Sequence, residues 1–97
     1  MQNFMNSSQI PKRISNALAS RKVDNDLLIV DRNNDKIHQL NSSAAFIWSL
    51  CDGNHSVEDI VMKTFAKFDI DEDQIRKDVN STLENLVELN LIERTER

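Results

Sequence analysis

Few side chains in this chain of 97 residues could do chemistry. His38 and His55 are the two histidines, Cys51 is the single thiol, and carboxylates are scattered throughout. An imidazole can move protons near neutral pH, and a thiolate can attack a carbonyl or hold a metal. Each of those chemistries needs partners at a set spacing. Neither histidine has a nucleophile paired to it in sequence, and His38, His55 and Cys51 follow no known metal-ligand spacing. The chain also lacks a Gly-rich phosphate loop, an HExxH and a CxxC. The residues therefore predict no catalytic centre, no metal and no cofactor. Cys51 reads as a small buried apolar residue, and no internal disulfide can form.

The composition bounds the domain and its partners. The length suits one domain, which buries roughly 60–65% of its unfolded surface. Hydrophobic residues make up 39% and charged residues 29%, as in ordinary globular proteins. The net charge of −4 opposes phosphate backbones and anionic lipid, so nucleic acid and membrane are not expected partners. The longest apolar runs, LLIV and AAFIW, are too short to cross a bilayer. The N-terminus has no apolar h-region, and a cytoplasmic location is the expectation.

The elements that must position any site are legible in the pattern. Residues 1–13 read as a flexible tail, residues 14–93 as the domain and residues 94–97 as a second tail. ISNALASRKV (14–23) reads as a weak first strand, DLLIVD (26–31) as a second and KIHQL (36–40) as a third. RNND (32–35) supplies the turn between the last two, so the three form an antiparallel meander. Three helices follow. Asn41 or Ser42 caps the first, which runs to about Cys51, with Ala44, Ile47, Trp48 and Cys51 at helical spacing. Gly53 turns the chain, and SVED at Ser56 opens the second helix. Its inner stripe is Val57, Ile60, Val61, Thr64, Phe65 and Phe68. DEDQ opens the third helix, whose core row is expected at Ile75, Val79, Thr82, Leu86 and Leu89. Asn90 suits its left-handed end. The fold class is α+β, a three-stranded antiparallel sheet followed by three helices.

The third strand joins the first helix without a loop. If that strand is an edge, its unpaired N–H and C=O groups can accept an added strand, and the third helix would form the other wall of a cleft. A winged-helix DNA-binding regulator is the alternative for such an architecture. Its recognition helix would be the third, where six acids (Asp71, Glu72, Asp73, Asp78, Glu84 and Glu88) face only Arg76 and Lys77. Such a helix pays an electrostatic cost in a DNA groove.

LLIVD, KIHQLNSSAAFIWSLCDG, SVEDIV and DVNSTLENLVELNLI together resemble the PqqD-like family, the RiPP recognition elements, from about Pro11 to Ile92. The most specific part is L-N-x-x-A-A-x-I-W-x-L-C-D-G, Leu40 to Gly53. The resemblance implies a winged helix-turn-helix-like fold and a non-catalytic role in natural product biosynthesis. Such proteins bind the leader segment of a ribosomally synthesised precursor peptide by strand addition and deliver it for post-translational modification. Their partner enzyme is often a radical SAM protein, a peptidase or a cyclase. Carried over, the peptide site comprises Lys36, Ile37, His38, Gln39 and Leu40 on the strand. On the third helix the stripe beside the expected core row would contribute Arg76, Asn80, Leu83, Glu84 and Val87. The family usually has Gly where this chain has Asn90. Residues 1–13 could instead extend a sheet or exchange between the chains of a homodimer.

Overall fold

Strand-forming runs followed by three capped helices build two small sheets and a helical layer. The computed structural model describes residues 8–14 and 18–95. In chain order the elements are β1 (Ile10–Arg13), β2 (Leu18–Val23), β3 (Asp26–Asp31), β4 (Lys36–Leu40), α1 (Ser42–Ser49), α2 (Val57–Phe68), α3 (Glu72–Glu88) and β5 (Ile92–Thr95). The main sheet is antiparallel in the order β2-β3-β4, as the meander reading expected. The described part of the first strand is Leu18–Val23, and residues 15–17 of the expected strand lie outside the described residues.

Local chemistry explains each join. Asp24 turns β2 into β3 with φ 56, and Asp35 turns toward β4 with φ 54; Asp is among the few residues that accept this region without Gly. The Asp31 carboxylate accepts from the Asn34 backbone N–H (3.2 Å) and side-chain amide (2.8 Å) and so ties down the turn. The Asn34 side chain, the larger contributor, holds the Asp31 carboxyl below its ordinary range. Asn41 caps α1 by accepting from the Ala44 N–H at 2.9 Å. At α2 the Ser56–Asp59 capping box is complete in both directions. Asn90 takes the left-handed position after α3, with φ 62, and the Leu91 N–H closes back on the Leu86 carbonyl at 2.9 Å. That is the terminal geometry Gly usually provides.

The expected tails need correcting. Ile10–Arg13 pairs antiparallel with Ile92–Thr95 in a second sheet, so the folded unit extends outward past both expected boundaries, 14 and 93. The reason is burial together with backbone satisfaction. Ile10 is buried and Pro11 fully so. The Pro11 carbonyl accepts from Gly53 N–H (3.1 Å), Arg13 N–H donates to the Cys51 carbonyl (2.8 Å), and Val57 N–H donates to the Gln9 carbonyl (2.9 Å). β1 thus stitches the α1–α2 connection to the C-terminal strand. Residues 1–7 of the expected N-terminal tail, and 96–97 of the C-terminal one, lie outside the described residues.

One core joins these parts. Ile29 and Leu40 from the sheet meet Ile47, Trp48 and Cys51 of the α1 region, Ile60 and Val61 of α2, and Ile75, Val79, Leu83 and Leu86 of α3. Trp48 is a core residue, and the Arg13 guanidinium lies 5.8 Å from its ring centre. Arg13 also donates to the carbonyls of Trp48 (2.9 Å) and Ser49 (3.0 Å), at the C-terminal end of α1.

Candidate functional site

β4 pairs only with β3 within the described main sheet. Its far edge is therefore the sheet's edge, which the sequence reading treated as a condition. Alternation along β4 is set by burial. Leu40 and the half-buried His38 share a face with Ile29, which is fully buried, while Ile37 and Gln39 point to the opposite, outer face. His38 Nε2 is buried and finds no hydrogen-bond partner among the described residues. Gln39 donates from Nε2 to Asp26 Oδ2 across the outer face, at 2.6 Å.

Beside the C-terminal end of β4 an open cleft of about 640 Å³ runs to α3. Gln39, Leu40, Asn41, Ser43 and Ala44 form one wall, and Asp78, Ser81, Thr82, Asn85 and Leu86 the other. The α3 wall repeats at three, four and seven residues, which is one flank of a helix. The apolar floor is Leu40, Ala44 and Leu86, and Asp78 is the one charged side chain in the lining. Asp78 Oδ1 accepts from Gln74 Nε2 at 2.9 Å. Such a cleft offers a hydroxyl- and amide-lined channel along an unpaired strand.

The strand half of the expected site and its helical half fare differently. Gln39 and Leu40 line the cleft, and Lys36, Ile37 and His38 continue the same strand edge. On α3, Arg76, Asn80, Leu83, Glu84 and Val87 do not line it. Leu83 is fully buried in the core, whereas Thr82, expected in the core, opens on the cleft. The core row is therefore Ile75, Val79, Leu83 and Leu86, and Arg76, Asn80 and Glu84 fall on its far side. Arg76 faces α2, donating to Glu58 (2.7 and 3.2 Å) and to Glu72 (3.1 Å). Arg76 and Asn80 share a separate hollow of about 580 Å³ with Asp73, Lys77 and Ser81. Asp78, Thr82 and Asn85 line the cleft from the flank that the sequence reading did not choose, because helical spacing identifies two flanks beside a core row and does not say which one a sheet will face.

The residues that opened the chemical reading do not converge. His55 Nδ1 lies 3.0 Å from Asp52 Oδ1 in the α1–α2 connection, and His38 stands on β4. Cys51 is buried, with its Sγ 3.3 Å from the Ile47 carbonyl. Burial pushes its thiol up to about 12, against the opposing field of Arg13, so it is not a thiolate at neutral pH. Among the described residues no group of three His, Cys, Asp or Glu side chains could hold a metal ion, and no helix is long and apolar enough to cross a membrane.

Fold and cleft together define a small winged helix-turn-helix-like module whose β4 edge opens on a cleft. The chain belongs to the PqqD family: the family described as Coenzyme PQQ synthesis protein D (PqqD) matches residues 26–92, from the start of β3 to the start of β5. Two solved structures share the fold. TbiB1 in complex with the TbiA(beta) leader peptide is 25% identical, with a TM-score of 0.73 over 84% of this chain and 94% of that one. A lasso peptide synthetase B1 complexed with the leader peptide reaches a TM-score of 0.74 over 87% and 98%, at 17% identity, where the likeness is one of fold. No curated protein sequence matches the chain.

Proposed function

We propose that this chain is a non-catalytic recognition subunit that binds the leader segment of a ribosomally synthesised precursor peptide. The leader adds as a strand to the free edge of β4, and its inward side chains enter the cleft beside α3. A single observation carries this reading: the unpaired edge of β4 opens directly on that cleft. Membership of the PqqD family and the likeness to TbiB1 in its leader complex support it. Each added main-chain hydrogen bond contributes about 1 kcal/mol net, so affinity comes from the backbone and specificity from the side-chain positions. The bound precursor is then presented, in the cytoplasm, to a maturation enzyme of the radical SAM, peptidase or cyclase type, which supplies the chemistry this chain lacks.

The winged-helix likeness does not favour DNA. The acids of α3 remain in excess, and its Arg76 is already engaged by Glu58 and Glu72. The test is a nuclear magnetic resonance titration with synthetic leader segments of candidate precursor peptides. Amides of residues 36–40 should shift, and those of the outward-facing set should gain protection from hydrogen exchange. Undisturbed β4 amides at saturating peptide, or salt-sensitive binding to a particular duplex DNA sequence, would overturn the proposal.

A further inference from the structure

The outer face of the β2-β3-β4 sheet carries a feature that strand addition through the cleft leaves unused. Ala19, Val30 and Ile37 are in direct cross-strand register: Ala19 opposes Val30, and Val30 opposes Ile37. They form an apolar ladder on the side of the sheet away from the core, since Ile29 and Leu40 of the alternate set pack inward and the ladder residues do not join the core. Its last rung, Ile37, is 67% exposed, more than the other exposed large hydrophobics Val23, Met62 and Ile70. One exposed apolar residue is unremarkable in itself. A β-branched one in an open edge strand is different, because natural edges guard such positions with charge, Pro or bulges. The next ladder along, Arg21–Leu28–Gln39, ends on the polar Gln39, which is held by Asp26.

We propose that Ile37 is a specificity-determining residue: the added strand sets an apolar side chain opposite it, as the fourth rung of the Ala19–Val30–Ile37 ladder. This rests on the leader-binding reading and extends it to the face that points away from the cleft. Because side chains of a strand alternate, a peptide lying along β4 sends one set toward α3 and the other set outward. The outward residue opposite Ile37 meets a β-branched neighbour about 5 Å away. The outward residue two positions along meets Gln39 and is polar. The peptide is thus read on both faces: inward by the cleft, and outward as apolar opposite Ile37 and polar opposite Gln39. Strand direction does not affect this, since either orientation places one residue opposite Ile37.

The experiment selects binders from a displayed library of random twelve-residue peptides on the intact chain and on Ile37→Glu and Ile37→Lys. Both substitutions alter an exposed side chain, and circular dichroism checks their fold. The wild-type chain should enrich peptides with Val, Ile, Leu or an aromatic residue at one position. Ile37→Glu should switch that one position to Lys or Arg and Ile37→Lys should switch it to Asp or Glu, the rest of the consensus holding. A wild-type consensus peptide should bind either variant about two- to fivefold more weakly. An unchanged consensus in both variants overturns the role of Ile37 while leaving leader binding intact. Failure of the wild-type chain to enrich any peptide overturns the reading beneath it, and this inference with it.

Discussion

Arg76 on α3 grips Glu58 on α2 through two hydrogen bonds, 2.7 and 3.2 Å long. The pair lies on the side of α3 that meets its neighbouring helix, and the opposite flank lines the cleft beside β4. Both side chains are about two-fifths exposed, so solvent screening limits the pair to about 1 kcal/mol or less.

The pair's pH dependence has a definite sign. Its hydrogen bond from Arg76, the largest influence, holds the Glu58 carboxyl below the ordinary glutamate range. A group with a depressed folded-state pKa stabilises the fold above its unfolded pKa and loses that contribution as the pH falls through its folded pKa. Glu58→Gln should therefore cost up to about 1 kcal/mol at neutral pH, and the difference from wild type should fade in acid below roughly pH 4. Urea melts across pH check this; a gap that widens on acidification contradicts it.

Asn85→Trp fills the cleft from the α3 side and should weaken binding of the leader peptide about tenfold, equivalent to about 1.4 kcal/mol. Arg76→Ala, on the far flank, should leave the affinity within about twofold. Fluorescence anisotropy on both variants decides which flank the peptide uses. The reverse ranking would restore the helical stripe expected from the sequence.

Proline along β4 separates the two sets of amides. Amides of alternate residues point to β3 and to the open edge, so His38 and Gln39 belong to opposite sets. Of His38→Pro and Gln39→Pro, one should lose the β3–β4 pairing, and the other should stay folded and lose at least about tenfold in leader affinity. Circular dichroism is read beside the titration. Two folded variants that both bind as wild type would show that the peptide does not pair with β4.

Deletion of residues 1–13 removes β1, the buried Ile10 and Pro11, and the Arg13 bonds to the end of α1. Burial of the Ile side chain alone is worth about 1.5–3 kcal/mol. The shortened chain should melt about 15 °C lower, at about 4–8 °C per kcal/mol for a domain of this size. Scanning calorimetry measures it. A midpoint within about 3 °C of the full chain would return residues 10–13 to the role of a tail.

Local chemistry settled much of this protein in the sequence itself. DLLIVD and KIHQL are strands because consecutive apolar and β-branched residues fit a pleated surface. Asn41, Ser56 and Asn90 mark helix ends because each can satisfy a backbone group that the helix leaves open. The stretch Leu40–Gly53 carried the family, and with it the edge strand. Three features were decided only by tertiary packing. IPKR and IERT have too few strand signals to predict a pairing between the two ends of the chain. They pair because the folded chain buries Ile10, Pro11 and Ile92 there. Thr82 and Leu83 exchanged their expected places because neighbouring helix positions differ by about 100°, and the rotation of α3 is set by where α2 and the sheet press on it. The same rotation chose Asp78, Thr82 and Asn85 over Arg76, Asn80 and Glu84 as the wall of the cleft. A helical period specifies the angles between side chains, but their absolute direction comes from the partners against which the helix packs.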